Sequence, residues 1–105
     1  MIAETEAGFQ AAVVQLAELH GWRWWHDNDS RRNKSGFPDL VLVRDGVLIF
    51  AELKTEKGRV SPAQTEWLAA LELVGHDSVG VVQVHVWRPR DWPTIESTLS
   101  RRRNP

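Results

Sequence analysis

Apolar residues recur at helical spacing from Thr5 to His20, with Phe9, Val13, Leu16 and His20 on one stripe, and this predicts a first helix. Gly21 ends it, a residue suited to the position just past a helix. Trp22 to His26 reads as a short aromatic strand, with Trp22 and Trp24 on one face, Trp25 on the other, and at least two of the three in the core. Asp27 to Gly36 is polar and reads as a loop. Two runs rich in Val, Leu and Ile then flank Asp45-Gly46, the dipeptide that most strongly signals a two-residue hairpin. Leu40, Leu42, Val47, Ile49, Phe50, Ala51 and Leu53 leave almost no polar alternation, so the strands are expected to be buried on both faces, with helices on each side. After a charged loop, Thr55 to Val60, Ser61-Pro62 opens a second helix, with Trp67, Leu68, Leu71 and Val74 as its stripe and Gly75 as its stop. Gly80 to Trp87 alternates Val82, Val84 and Val86 with Gln83, His85 and Trp87, the pattern of another strand. Arg88 to Asp91 turns the chain into a last helix from Pro93 to Leu99. The order is α-β-β-β-α-β-α, an α/β fold with a central mixed sheet of about four strands flanked by helices.

The hairpin turn sets a register. Arg44 faces Val47, Val43 faces Leu48, and counting outward Asp39 lands opposite Glu52. Directly opposed residues have Cβ atoms about 4.5–5.5 Å apart, and like charges there destabilise a sheet. A divalent cation between the two acids is a physical reason for such a pair, since hard cations take oxygen ligands. Glu52 and Lys54 share a strand face, so an amine joins the two acids. Glu6, in the first turn of the first helix, falls within about 60° of Phe9, Val13 and Leu16 and so faces the core side, whereas Glu4 projects away. Gln64 lies on the helix's apolar stripe at N3, where in Ser61-x-x-Gln64 its amide completes a capping box; a role in a site would compete with that cap, since one side chain cannot do both jobs fully.

Composition narrows the setting. The 105 residues are 42% hydrophobic and 26% charged, the make-up of one globular domain, with a basic tail over residues 100–105 expected to be flexible. The absence of cysteine excludes disulfides and thiolate metal sites. Without an apolar run of membrane-spanning length or a leader-like start, the chain is expected to be soluble and cytoplasmic. A net charge of −1 gives no global basic footprint. The positive charge is instead clustered: Arg31, Arg32 and Lys34 before the hairpin, Lys54, Lys57 and Arg59 after it, Arg101 to Arg103 at the end. The two flanking clusters sit where a phosphate backbone crossing the acids would need positive charge, while the terminal run reads as a solvated tail.

Pro38-Asp39 followed by Glu52-Leu53-Lys54 resembles the signature of the PD-(D/E)XK nucleases. The fuller string, an early Glu, then GFPDL, AELK and Gly58 with Ser61-Pro62-Ala63-Gln64, is similar to the VRR-NUC branch, over roughly Glu6 to Trp92. The resemblance implies a restriction-endonuclease-like core and metal-dependent hydrolysis of DNA phosphodiesters. It implies that Asp39 and Glu52, the backbone carbonyl of Leu53, and Glu6 directly or through water hold Mg²⁺ or Mn²⁺. Lys54 then orients or helps deprotonate the attacking water, and Gln64 lies near the reacting centre. Arg31, Arg32, Lys34, Lys57, Arg59 and Ser61 are the expected DNA contacts. Stand-alone members of the branch are associated with branched DNA, including Holliday junctions, which they meet as homodimers, and the compact stand-alone domain suggests a phage or bacterial setting, where replication and repair leave branched DNA. Two other readings remain beside this one: a silent DNA-binding module of the same fold, and a relative that cuts flaps or single strands.

Overall fold

The computed structural model describes residues 5–26, 36–78 and 80–100. Glu4, the cluster Arg31, Arg32 and Lys34, and the tail Arg101 to Arg103 lie outside the described residues. The elements follow the expected order: α1 (Glu6–Leu19), β1 (Arg23–His26), β2 (Leu40–Arg44), β3 (Val47–Leu53), α2 (Pro62–Ser78), β4 (Val82–Trp87), a 3-10 turn (Pro89–Asp91) and α3 (Trp92–Leu99). They build an α/β fold around a four-stranded mixed sheet in the order β1-β2-β3-β4. The first three strands are antiparallel neighbours, and β4 runs parallel to β3 after the α2 crossover. No helix among the described residues is long and apolar enough to cross a membrane.

Local chemistry accounts for the elements. Thr5 caps α1, its hydroxyl accepting from the Gly8 N–H at 3.0 Å. Asp45 and Gly46 take φ values of 51° and 79°, the left-handed pair that a tight hairpin requires. The register is the one read from the turn, from Arg44↔Val47 to Leu40↔Ala51. Leu40, Leu42, Ile49, Ala51 and Leu53 point to one face, where Phe9, Val13 and Ala17 of α1 and Ile95 and Leu99 of α3 cover them completely. At the turn end of the hairpin, the Arg44 guanidinium stacks on Trp22 and donates to the carbonyls of His20, Leu99 and Ser100. That one cation ties the ends of α1 and α3 to the sheet.

Three expectations need correction. Only Trp22 of the first three tryptophans is core: Trp24 and Trp25 are 37% and 53% exposed, because β1 is an edge strand with a single neighbour. The second sheet face is covered unevenly. α2 lies over β4, and Phe37, Phe50 and Trp67 pack edge-to-face beneath its start, but Val43 stays 42% exposed. Gly75 does not stop α2, which continues to Ser78, and Val74 on the expected stripe is 55% exposed. Gly75 serves packing instead: a Cβ there would come within 2.8 Å of the Val82 carbonyl oxygen, so only glycine lets the helix lie on β4.

Gly36 holds the other close approach. Its φ is +95°, and a Cβ would meet the Ala63 carbonyl group at 2.5 Å, so the entry to the hairpin is seated directly on the first turn of α2. Gly36→Ala therefore combines backbone strain with a clash against backbone, and is expected to lower unfolding free energy by at least about 2 kcal/mol in urea titration.

Candidate active site

The acids meet at the open end of the hairpin, away from the Arg44 anchor. Pro38 is fully buried and sets the entry of the chain. Asp39 follows it, one step outside β2, and its Oδ2 accepts from the Leu53 N–H at 2.9 Å. The carboxylate is thereby locked across the end of β3, beside Glu52. Glu52 is the one charged residue among the described core positions, with 1% of its surface exposed. Its Oε2 accepts from Gln64 Nε2 at 2.7 Å and lies 3.4 Å from Lys54 Nζ. Its Oε1 is buried and has no donor.

That unpartnered oxygen carries the chemistry of the site. Burial first, and the Asp39 carboxylate second, push the Glu52 carboxyl up to about 8, against the opposing pull of Lys54. Metal-free, the Glu52 carboxyl keeps its proton at neutral pH. Two carboxylates that face one another with no donor between them are reconciled by a proton or by a cation. The set therefore suits a hard cation with oxygen ligands: Asp39 and Glu52, with the Leu53 carbonyl following directly in the chain. Among the described residues no three Asp, Glu or His side chains form a ready-made metal cage. Glu6 stands in the first turn of α1, close enough that Asp39 adds to the burial that raises its carboxyl while Lys54 draws it down. It belongs to the same electrostatic patch but contributes from its rim.

Gln64 caps α2 and contacts Glu52 at the same time, so the expectation that one side chain could not serve both contacts needs correction. Its side-chain oxygen accepts from the Ser61 N–H at 2.8 Å, and its backbone N–H donates to Ser61 Oγ at 3.1 Å, a complete capping box. Because the cap occupies the oxygen, the amide NH₂ must face Glu52. The helix cap thus sets the polarity of a contact in the site. Ser61, expected as a DNA contact, has its Oγ engaged as this cap. Lys57 and Arg59 are exposed on the loop between β3 and α2, whereas Arg31, Arg32 and Lys34 fall outside the described residues. Sequence reading missed Arg88, taken only as part of a turn, whose side chain reaches that same loop. Nothing local announces such a contact, since its partners are backbone carbonyls about thirty residues away.

The family model described as the VRR-NUC domain matches residues 3–86, most of the chain. No curated protein matches it.

The capping geometry gives a test of the Gln64 contact. Gln64→Glu preserves an acceptor for the Ser61 N–H but sets a carboxylate in place of the donor to Glu52. Helix content by circular dichroism is expected to persist, while the Glu52 carboxyl moves above its wild-type value in a ¹³C NMR titration. Gln64→Ala, by contrast, is expected to cost about 1 kcal/mol through the lost cap.

Proposed function

The chain belongs to the VRR-NUC family, a nuclease domain of the PD-(D/E)XK type, and from that premise we propose that it is a Mg²⁺- or Mn²⁺-dependent DNA endonuclease whose reaction runs at Asp39, Glu52 and Lys54. The observation that carries this reading is the Glu52 carboxyl, raised first by burial and then by its neighbour Asp39, and left with an oxygen that no donor satisfies. Asp39, Glu52 and the Leu53 carbonyl would hold the cation, with Glu6 reaching it through water. When bound, such an ion lowers the pKa of water and offsets charge on the phosphate.

The protein's own groups do the rest. The Leu53 N–H fixes the Asp39 carboxylate, so one ligand is set by the end of the sheet itself. Gln64, on α2, holds Glu52 Oε2. Lys54, its side chain largely buried, presents a compact positive charge beside the acids. There it orients the attacking water and stabilises the negative charge that develops on the phosphoryl oxygens. Lys57 and Arg59 supply charge for the phosphate backbone from the loop after β3, and Arg31, Arg32 and Lys34, which precede the hairpin in the sequence, are proposed to add to it.

Branched DNA is the substrate that the family resemblance favours, and a four-way junction is cut symmetrically by two sites related by a two-fold axis. The proposed working form is therefore a homodimer acting as a Holliday-junction resolvase. A labelled panel of four-way junction, flap, splayed arm, linear duplex and single strand, each with Mg²⁺, Mn²⁺ or EDTA, tests both levels. The expected outcome is paired, metal-dependent nicks on the junction, with turnover lost in Lys54→Ala by at least about a hundredfold while the fold is retained. Cuts on flaps or single strands alone would keep the site and discard the resolvase. Tight binding without cleavage of any substrate would make the protein a silent DNA-binding module.

A further inference from the structure

The loop from Thr55 to Val60 joins the two halves of the candidate site, with Lys54 at its start and the Ser61–Gln64 cap at its end. Its internal hydrogen bonding is thin: the one backbone bond within it runs from the Gly58 N–H to the Thr55 carbonyl at 3.3 Å. Its conformation is set from outside. Arg88 Nη1 donates to the carbonyls of Thr55 at 2.6 Å and Gly58 at 2.7 Å, and more distantly to that of Glu56 at 3.3 Å. Charge-assisted bonds of this kind are roughly twice as strong as neutral ones. The base of Arg88 is itself fixed, since its backbone N–H donates to Asp91 Oδ2 at 2.9 Å. One residue earlier, the Trp87 carbonyl accepts from the Lys54 N–H at 3.0 Å.

The loop also forms a wall for the catalytic amine. A Cβ on Gly58 would lie 3.5 Å from Lys54 Cδ and 3.0 Å from Thr55 Oγ1, so the Gly58 backbone runs along the Lys54 stem. The second link between these segments, Arg90 with Glu56, is a surface pair at 3.7 Å with both partners well exposed, and contributes little. Arg88 stands two residues beyond the segment that the family model matches.

We propose that Arg88 is a positioning residue for the nuclease reaction: by gathering the Thr55 and Gly58 carbonyls it holds the loop against Lys54 and so fixes where the ammonium sits beside Glu52. The proposal rests on the nuclease reading for its effect on turnover, but the restraint itself can be observed without any cleavage.

The experiment compares full-length wild type with Arg88→Ala, Arg88→Lys and Arg90→Ala. In Arg88→Ala, kcat for DNA cleavage is expected to fall about tenfold to a hundredfold, the cost of a misplaced catalytic group, with KM nearly unchanged. The Lys54 side-chain ¹³C and ¹⁵N resonances should shift, and amide exchange should accelerate at Gly58 but not at Leu42 or Ile49. Arg88→Lys, with three donors on one ammonium, should recover part of kcat, and Arg90→Ala should match wild type throughout. Wild-type kcat in Arg88→Ala, or faster exchange spread evenly over the sheet, would reduce Arg88 to a general staple and overturn the proposal. If the wild type cleaves no DNA, the nuclease reading fails, and unchanged Lys54 resonances in Arg88→Ala would separately refute the restraint.

Discussion

Two carboxylates share one small space at the end of a sheet, and one of their oxygens is buried without a donor. Most of the surrounding architecture bears on that constraint. The hairpin register brings Asp39 level with Glu52, and the Leu53 N–H pins the first acid while Gln64 holds the second. The two contacts come from different elements, so the pair cannot relax apart without disturbing both the strand and the helix. At the far end of the same hairpin, Arg44 binds the ends of α1 and α3. The sheet is therefore anchored at its turn and strained electrostatically at its mouth. Strain of that kind suits a site that receives a cation and a polyanionic substrate.

The fold was legible because its signals are local and mutually consistent. Asp45-Gly46 admits one tight turn, and that turn carries the register of five paired residues on β3 with it. Ser61-Pro62 marks the start of α2 for equally local reasons. The carboxylate pair followed from the same count along the strands, before any three-dimensional information. The identity of the cap glutamine as a site residue was half legible: the spacing specified the cap and the family resemblance the site, as rivals, but only the seating of the first turn of α2 beside Glu52 lets one amide divide the two contacts between its ends.

What failed depended on position in the sheet or on distant packing. A run of tryptophans carries high burial propensity, yet β1 lies at an edge and only Trp22 of the three joins the core. Gly75 looks like a helix stop when only its neighbours are read, and its real constraint is the Val82 carbonyl on another element. Arg88 is the same lesson in polar form. Its partners are carbonyl groups, which every residue possesses, so no pattern of side chains could have pointed to them.

The measurement that tests the central claim most directly is unfolding free energy against pH for the metal-free protein and for Glu52→Gln, with and without Mg²⁺. A carboxyl raised from 4.5 to about 8 in the folded state retains a proton that the unfolded chain has lost. The stability of wild type relative to Glu52→Gln should thus be greatest below pH 4.5 and decline by up to about 1.4 kcal/mol per unit as the pH rises toward 8. Taking the difference between the two proteins removes other titrations, including that of His85, whose burial lowers its value and gives a slope of opposite sign. Mg²⁺ should restore wild type at the upper end of the window and leave Glu52→Gln unmoved. A difference that stays flat with pH, or a wild type indifferent to Mg²⁺ at pH 8, would mean that the two acids do not contend for one charge, and the account of the site would fall.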